Sequence, residues 1–264
     1  KLGSLKGITH LFYAARYDHD STGSEPIETN LLMLENMVSV IEATAKALRH
    51  IHIVHGTKYY GAPYGHYKTP SKEDDPRWLI NNFYYAQQDF IVKKQEGKTW
   101  AWTISRPQAV SDYLPHIARS IPWGISVYAS ICKAQRLPLC FPGRQGNYSA
   151  IYQCTDAEHL AKAVVWMATD SDCANQAFNI TNGDYFRWEN LWPRIAEYFR
   201  MPVGPVRHVT LSKAMADKSS WWNGNALTRK HKLRKAQYDQ LVVWPYLDFV
   251  LAPEYDRMSD LTML

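Results

Sequence analysis

Apolar positions along this chain come in two rhythms, short unbroken runs and helical stripes, and the two alternate. Ile8-Thr9-His10-Leu11-Phe12-Tyr13-Ala14-Ala15 has the length and make-up of a buried strand. After a polar loop, Leu31, Leu34, Met37, Val38, Ile41, Ala45 and Leu48 recur at helical spacing and predict a helix from Asn30 to Leu48. Ile51 to Val54 is the next strand, Phe83 to Lys94 the next helix, and Thr99 to Ile104 a further strand, stopped by Arg106-Pro107 because proline cannot donate to a ladder. Strand, helix, strand, helix, strand is the order of βαβ units in a parallel sheet. The fold class is therefore α/β, a Rossmann-like doubly wound parallel sheet.

The second half is less regular. Ile125 to Gln135 has helical spacing, and Leu137 to Ser149 is a loop punctuated by proline and glycine. Thr155-Asp156-Ala157-Glu158 has capping-box spacing and opens a helix to Met167. Ala177 to Ile180 is a short strand, Asn182-Gly183-Asp184 a turn, and Trp188 to Phe199 a helix that tolerates Pro193 near its start. Beyond Met201 no single period holds, which reads as a smaller C-terminal cap. The expected organisation is residues 1–181 for the main sheet domain, with inserted segments, and 182–264 for the cap region.

At 264 residues and 46% hydrophobic, the chain can bury a substantial core. No apolar run is long enough to span a bilayer, and with no charged-then-apolar leader at Lys1 the expectation is a cytoplasmic protein with no membrane partner. Cys132, Cys140, Cys154 and Cys173 lack paired spacing and read as thiols rather than a disulfide framework. The net charge of +5 is dispersed. Its densest group, Arg229-Lys230-His231-Lys232-Arg234-Lys235, has no aromatic ladder and reads as a solvated face, so no nucleic acid partner is expected. Lys1 stands where a methionine would open a whole chain, and a helix-like pattern still runs close to Leu264. The chain thus reads as a fragment.

The candidate chemistry lies in two words, Gly56-Thr57-Lys58-Tyr59-Tyr60-Gly61 and Asn82-Phe83-Tyr84-Tyr85. Lys58 follows a strand directly, where open α/β sheets place ligand-binding groups. Tyr84 opens a helix, and a buried phenol needs a partner for its hydroxyl that a bound carbonyl can provide. The usual short-chain dehydrogenase pair, tyrosine with lysine four residues on, is absent: Gln88 follows Tyr84 and Asp89 follows Tyr85 at that spacing. His50, His52 and His55 suggest a metal, but His50 and His52 face one side of a strand and His55 the other. No third ligand can be named, so no metal is expected. Trp78, Trp221 and Trp222 read as core or cap filling, with a pocket lining as the alternative. No G-x-G-x-x-G follows the first strand, and Gly143-Arg144-Gln145-Gly146 has neither its spacing nor its context. Either this is not a dinucleotide fold or its first βαβ units lie upstream of Lys1, and the missing methionine favours the second reading.

In order along the chain, Thr9-His10-Leu11-Phe12-Tyr13, the lysine word, the tyrosine word and Arg106-Pro107 resemble the progesterone 5β-reductase/iridoid synthase-like family of atypical extended short-chain dehydrogenases. The likeness continues through Val127 to Lys133, Leu137 to Gly143 and Ala177 to Asp184. It implies NADP(H)-dependent reduction of a carbon–carbon double bond conjugated to a carbonyl, with a small enone or enal as substrate and a homodimer as a compatible state. By that resemblance Lys58 holds the nicotinamide ribose and makes the phenol a better donor, while Tyr84 donates to the substrate carbonyl. Ala15, Arg16, His55, Pro107 and Val110 fall where the family meets its cofactor. Gln108 to Tyr113 replaces a Gly-Phe loop commoner among relatives. The resemblance also implies that a chain without the glycine motif binds cofactor poorly and is inactive by itself. The competing readings are a non-catalytic NADP-sensing domain and a sugar-nucleotide epimerase or dehydratase of the broader family.

Overall fold

The computed structural model of the chain describes residues 5–18, 25–112, 119–224 and 238–263. In chain order its main elements are β1 (His10–Tyr13), α1 (Ile27–Thr44), β2 (His50–Val54), α2 (Phe83–Gln95), β3 (Ala101–Pro107), β4 (Val110–Ser111), α3 (Ile121–Ala134), α4 (Gln145–Ser149), β5 (Ile151–Tyr152), β6 (Thr155–Asp156), α5 (Ala157–Thr169), β7 (Gln176–Ile180), β8 (Phe186–Arg187) and α6 (Trp188–Tyr198). Short helices at Leu211–Ala214, Ser219–Gly224, Tyr238–Leu241 and Trp244–Leu251 follow. They form two compact units. The first takes Lys1–Gln108, Glu158–Gly183 and Ser259–Leu264; the second takes Ala109–Ala157 and Asp184–Met258. The expected boundary at 181–182 lies beside Gly183, and Ala109–Ala157 adds an earlier stretch to the second unit.

The first unit is built on a four-stranded sheet in the order β1-β2-β3-β7, every neighbouring pair parallel. On one face Ile51, Ile53, Trp102 and Ile104 pack with Leu34, Val38 and Ile41 of α1 and Ile91 of α2. On the other, Phe178 and Ile180 pack with Leu160, Val164 and Met167 of α5. Helices on both faces of a parallel sheet make the fold doubly wound, as the alternating runs and stripes require. The second face also carries a buried polar line. Thr103 Oγ1 lies 2.8 Å from both His50 Nε2 and His52 Nδ1, and Ser105 Oγ lies 3.0 Å from His52 Nε2. His50 and His52 do share a side, and they spend their nitrogens on hydroxyls. Burial, then the neighbouring His10, lowers His50 to about 4. Burial, then His50, lowers His52 to about 3.

Several element boundaries differ from expectation. Asn30 does not start α1. It is buried one turn in, and its Nδ2 donates to the Pro26 carbonyl at 2.9 Å, while the helix ends at Thr44 with Ala45 as cap. β3 runs through Arg106 to Pro107, in register with Asn179 and Ile180 of β7. Arg106 still finds its ladder, and Pro107 ends the strand, a position where its missing donor is tolerated. α3 starts four residues early because Ser120 caps it, accepting from Trp123 N at 3.4 Å. Within the expected loop, Gln145–Ser149 is a short helix. No helix continues towards the C-terminus: after Leu251 the chain is irregular, and Ser259 bridges Ser71 within the first unit.

The second unit has its own core, in which Ile125, Tyr128 and Ile131 of α3 meet Trp188 and Trp192 of α6 and Leu247 and Leu251 of the last helix. Trp222 belongs to this core; the Trp221 side chain and the basic group at 229–235 lie outside the described residues. Gly143-Arg144-Gln145-Gly146 cradles no phosphate, since the Gly146 amide donates to Glu254 Oε2 at 3.1 Å. Cys132 and Cys173 are buried, Cys140 and Cys154 partly so, and all four thiols are free. Among the described residues no helix is long and apolar enough to cross a membrane.

Candidate active site

The two words meet within the first unit, and the reason is local. Asn82 has extended backbone and caps α2, its Oδ1 accepting from Tyr84 N at 3.1 Å. Its Nδ2 donates to the Lys58 carbonyl, also at 3.1 Å. One carboxamide thus starts the helix that carries Tyr84 and ties that start to the 3₁₀ turn Thr57–Tyr60 that carries Lys58. That turn closes on Gly61 at φ +83°, where the Trp78 ring lies only 2.5 Å from the place a Cβ would take. Only glycine fits both demands. Trp78 is therefore a lid on the lysine turn, and its backbone amide donates to Tyr85 Oη at 3.1 Å.

The Lys58 ammonium stands 3.9 Å from the Phe83 ring centre and 4.7 Å from that of Tyr84. It is paired with Glu25 Oε1 at 2.7 Å. Burial is the main force on it and lowers it to about 8, with Glu25 opposing and Arg16 assisting that shift. Tyr84 lies between this cation and the end of the sheet. A Cβ on Gly56 would sit 3.3 Å from the Pro107 carbonyl and 3.7 Å from Tyr84 Oη. The tighter contact is with the Pro107 carbonyl, so a side chain at residue 56 would press on the end of β3, while Tyr84 Oη is at ordinary van der Waals distance. Burial pushes Tyr84 up to about 12; of the charges, Arg16 lowers it and Glu25 raises it. The Lys58 ammonium lies over the Tyr84 ring and is paired with Glu25. The phenol is a neutral donor at pH 7.

His55 follows β2 and stacks on Tyr84, ring centres 4.3 Å apart and planes at 17°. It is 4% exposed, and among the described residues neither ring nitrogen has a hydrogen bond of good geometry. Burial first, then Arg106, holds it well below the usual imidazole range, although the nearby Gln87 carboxamide pulls the other way. Ala15 and Arg16 are exposed in the loop after β1. Asn30 holds that loop, accepting from Tyr17 N at 2.8 Å and donating to Tyr17 O at 3.0 Å. Pro107 is buried at the end of β3. Val110 belongs to the second unit, where it pairs with Thr155.

Sequence reasoning missed a buried network behind the lysine turn. Arg106, 1% exposed, lies 3.4 Å from the Tyr59 ring centre and donates to Tyr60 Oη and the Glu73 carbonyl, each at 3.0 Å. Tyr60 donates to Asn179 Oδ1 at 2.7 Å, and Asn179 N donates to Glu73 Oε1 at 2.6 Å. Burial raises Tyr60 to about 12 and raises Glu73 as well. Gln88, which stands where the usual signature has its lysine, accepts from Arg106 at 3.3 Å. Tyr60 stands in the lysine word, Arg106 before Pro107 and Asn179 in the run Ala177 to Asp184, but nothing in their spacing joins them.

A model of the PRISE-like Rossmann-fold domain matches residues 1–264. The chain is 34% identical to an (S)-8-oxocitronellyl enol synthase of Nepeta racemosa, over 92% of its own length and 65% of that protein's. It is 33% identical to the 3-oxo-Delta(4,5)-steroid 5-beta-reductase of Arabidopsis thaliana, over 96% and 67% respectively. The chain thus spans about two thirds of the length of these relatives. Among solved structures it is similar to a short-chain dehydrogenase/reductase superfamily protein of Agrobacterium tumefaciens with bound NAD, at TM-score 0.60 and 12% identity over 78% of this chain and 70% of that one. It is also similar to RMD of Pseudomonas aeruginosa complexed with NADPH, at TM-score 0.60 and 12% identity over 79% and 76%. At such identities the structural likeness speaks for the fold alone.

Proposed function

Since the chain belongs to the PRISE-like Rossmann-fold domain family, we propose that it is the lysine- and tyrosine-bearing part of an NADPH-dependent reductase. The substrate class is a small α,β-unsaturated carbonyl, and the bond reduced is the carbon–carbon double bond. The observation that carries this reading is the Tyr84 hydroxyl, which lies beside Gly56 at the carboxyl ends of β2 and β3. Among the described residues it has no hydrogen-bond partner, whereas Tyr60 and Tyr85 are committed to Asn179 and Tyr59.

The residues present fit a nicotinamide nucleotide. The His55 imidazole stacked on Tyr84, a phenol donor and an ammonium stand together where open α/β sheets bind ligands. Lys58 would hold the ribose; Ala15, Arg16, His55 and Pro107 would line the nicotinamide side, and Val110 joins them by resemblance. When bound, NADPH supplies a hydride to the substrate's β-carbon. The electron pair of the double bond then moves towards the carbonyl, whose oxygen becomes negative. Tyr84 donates to that oxygen, and such a preorganised donor is worth about 100- to 1000-fold in rate. Water supplies the proton that the α-carbon takes.

The test uses the full-length gene product, NADPH and a panel of small enones and enals, followed by nicotinamide absorbance in wild type, Tyr84→Phe and Lys58→Ala. Loss of turnover in both variants supports the roles. Unchanged turnover in both overturns them, and tight NADPH binding with no acceptor reduced favours a sensing domain instead.

A further inference from the structure

We propose that Glu25 is a positioning residue for Lys58: its carboxylate holds the ammonium over the Phe83 and Tyr84 rings and supplies the counter-charge that lets it stay an ammonium there. The inference rests on the reading of Lys58 as the residue that holds the cofactor. Glu25 precedes α1 and lies 33 positions from Lys58, so no spacing rule connects them. The two side chains are 14% and 13% exposed and meet at 2.7 Å.

The charges facing Lys58 make Glu25 decisive. Arg16, from the loop after β1, repels it and is itself paired with Asp18 at 3.2 Å. The Phe83 and Tyr84 rings offer only their π faces, and Tyr84 and His55 are neutral at pH 7. The Tyr64 hydroxyl, raised mainly by burial and secondly by Glu25, is neutral too. Arg106 adds a further cation on the His55 side. Among the described residues Glu25 is the carboxylate in ion-pair contact with Lys58. Burial, with Arg16 adding to it, already lowers the amine to about 8 against the pull of that carboxylate. Removing one partner of a mostly buried pair leaves the other charge uncompensated, and a lysine answers by losing its proton. A neutral amine is a poorer partner for a ribose hydroxyl oxygen.

The test is competitive acetylation of the full-length protein across pH with mass-spectrometric readout of Lys58, in wild type and Glu25→Gln, with folding checked by circular dichroism. The Lys58 labelling midpoint should fall by about one pH unit or more in Glu25→Gln, and Glu25→Asp should restore part of it. An unmoved midpoint in a folded Glu25→Gln overturns the proposal. Should that variant not fold, the ¹³C shift of the Glu25 carboxyl in wild type decides the matter. A step at the Lys58 midpoint supports the pairing and a flat line overturns it. The alkaline limb of kcat/KM for enone reduction should move with the labelling midpoint. A midpoint that moves in a protein reducing no enone keeps the pairing and discards the reductase reading.

Discussion

His55 lies nearly parallel to Tyr84, with ring centres 4.3 Å apart, and this stack braces the phenol ring on one face. Among the described residues neither imidazole nitrogen has a hydrogen bond of good geometry, and a buried polar group so poorly satisfied costs about 1–3 kcal/mol. His55→Phe should therefore unfold no more easily than wild type in a thermal melt. His55→Ala, which removes the platform, should lose several degrees in Tm. A severely destabilised His55→Phe would mean that the imidazole has a partner after all.

Tyr84→Phe should separate stability from chemistry. With no protein partner to lose, the hydroxyl contributes little to folding, and the urea midpoint should shift by less than that of an average buried hydrogen bond, about 1 kcal/mol. Turnover of an enone should fall roughly 100- to 1000-fold. A large stability loss would place the hydroxyl in the core's hydrogen bonding rather than at the substrate.

Asn82 does two jobs that substitution can split. Asn82→Ala loses the helix cap and the tie to the Lys58 carbonyl, and should cost about 1–2 kcal/mol by urea denaturation. Asn82→Asp keeps the acceptor for Tyr84 N and loses the donor. It should retain most of the stability while weakening NADPH binding, measured by fluorescence titration.

Three buried imidazoles give the fold an acid weakness. His50 and His52 are lowered to about 4 and about 3, and His55 well below its usual value, in each case chiefly by burial. Below pH 6.5 the unfolded chain binds protons that the native state refuses. Stability should fall as pH drops from 6.5 towards 4, each histidine contributing on the order of 1 kcal/mol per pH unit. Denaturation at stepped pH checks this, and His55→Phe should flatten the slope.

Arg136 sits at φ +58° just beyond α3, where Leu137 N bonds the Cys132 carbonyl at 2.9 Å and Arg136 N the Lys133 carbonyl at 3.0 Å. This is a Schellman end, which favours glycine at that residue. Arg136→Gly should raise stability by about 0.5–1 kcal/mol, read as a higher urea midpoint with unchanged slope.

Much of the fold was legible because it follows from local rules. The stripe Leu34, Val38, Ile41 says which side of a helix meets water, and α1 obeys it. The run through Leu11 to Tyr13 gave the strand but not its burial: β1 edges the described sheet and Phe12 is 48% exposed. The helix from Phe83 was legible in its apolar positions, and Asn82 caps it. The helix expected from Asn30 begins three residues earlier, at Ile27, and the Asn30 side chain is taken by Tyr17 and Pro26. Arg106-Pro107 looked like a stop, yet a proline at the last position of β3 costs the ladder nothing it still needs.

By itself, then, the sequence determined the alternation of strands and helices, the parallel sheet, and the two words from which Lys58 and Tyr84 come, since periodicity, capping and turn chemistry act over a few residues. Tertiary structure alone decided which groups surround them. Glu25 on Lys58 spans 33 positions and Tyr60 on Asn179 spans 119, and such pairs form only when separate strands end side by side. Burial then sets their charges, and burial is a property of the folded neighbourhood that no residue carries in its name.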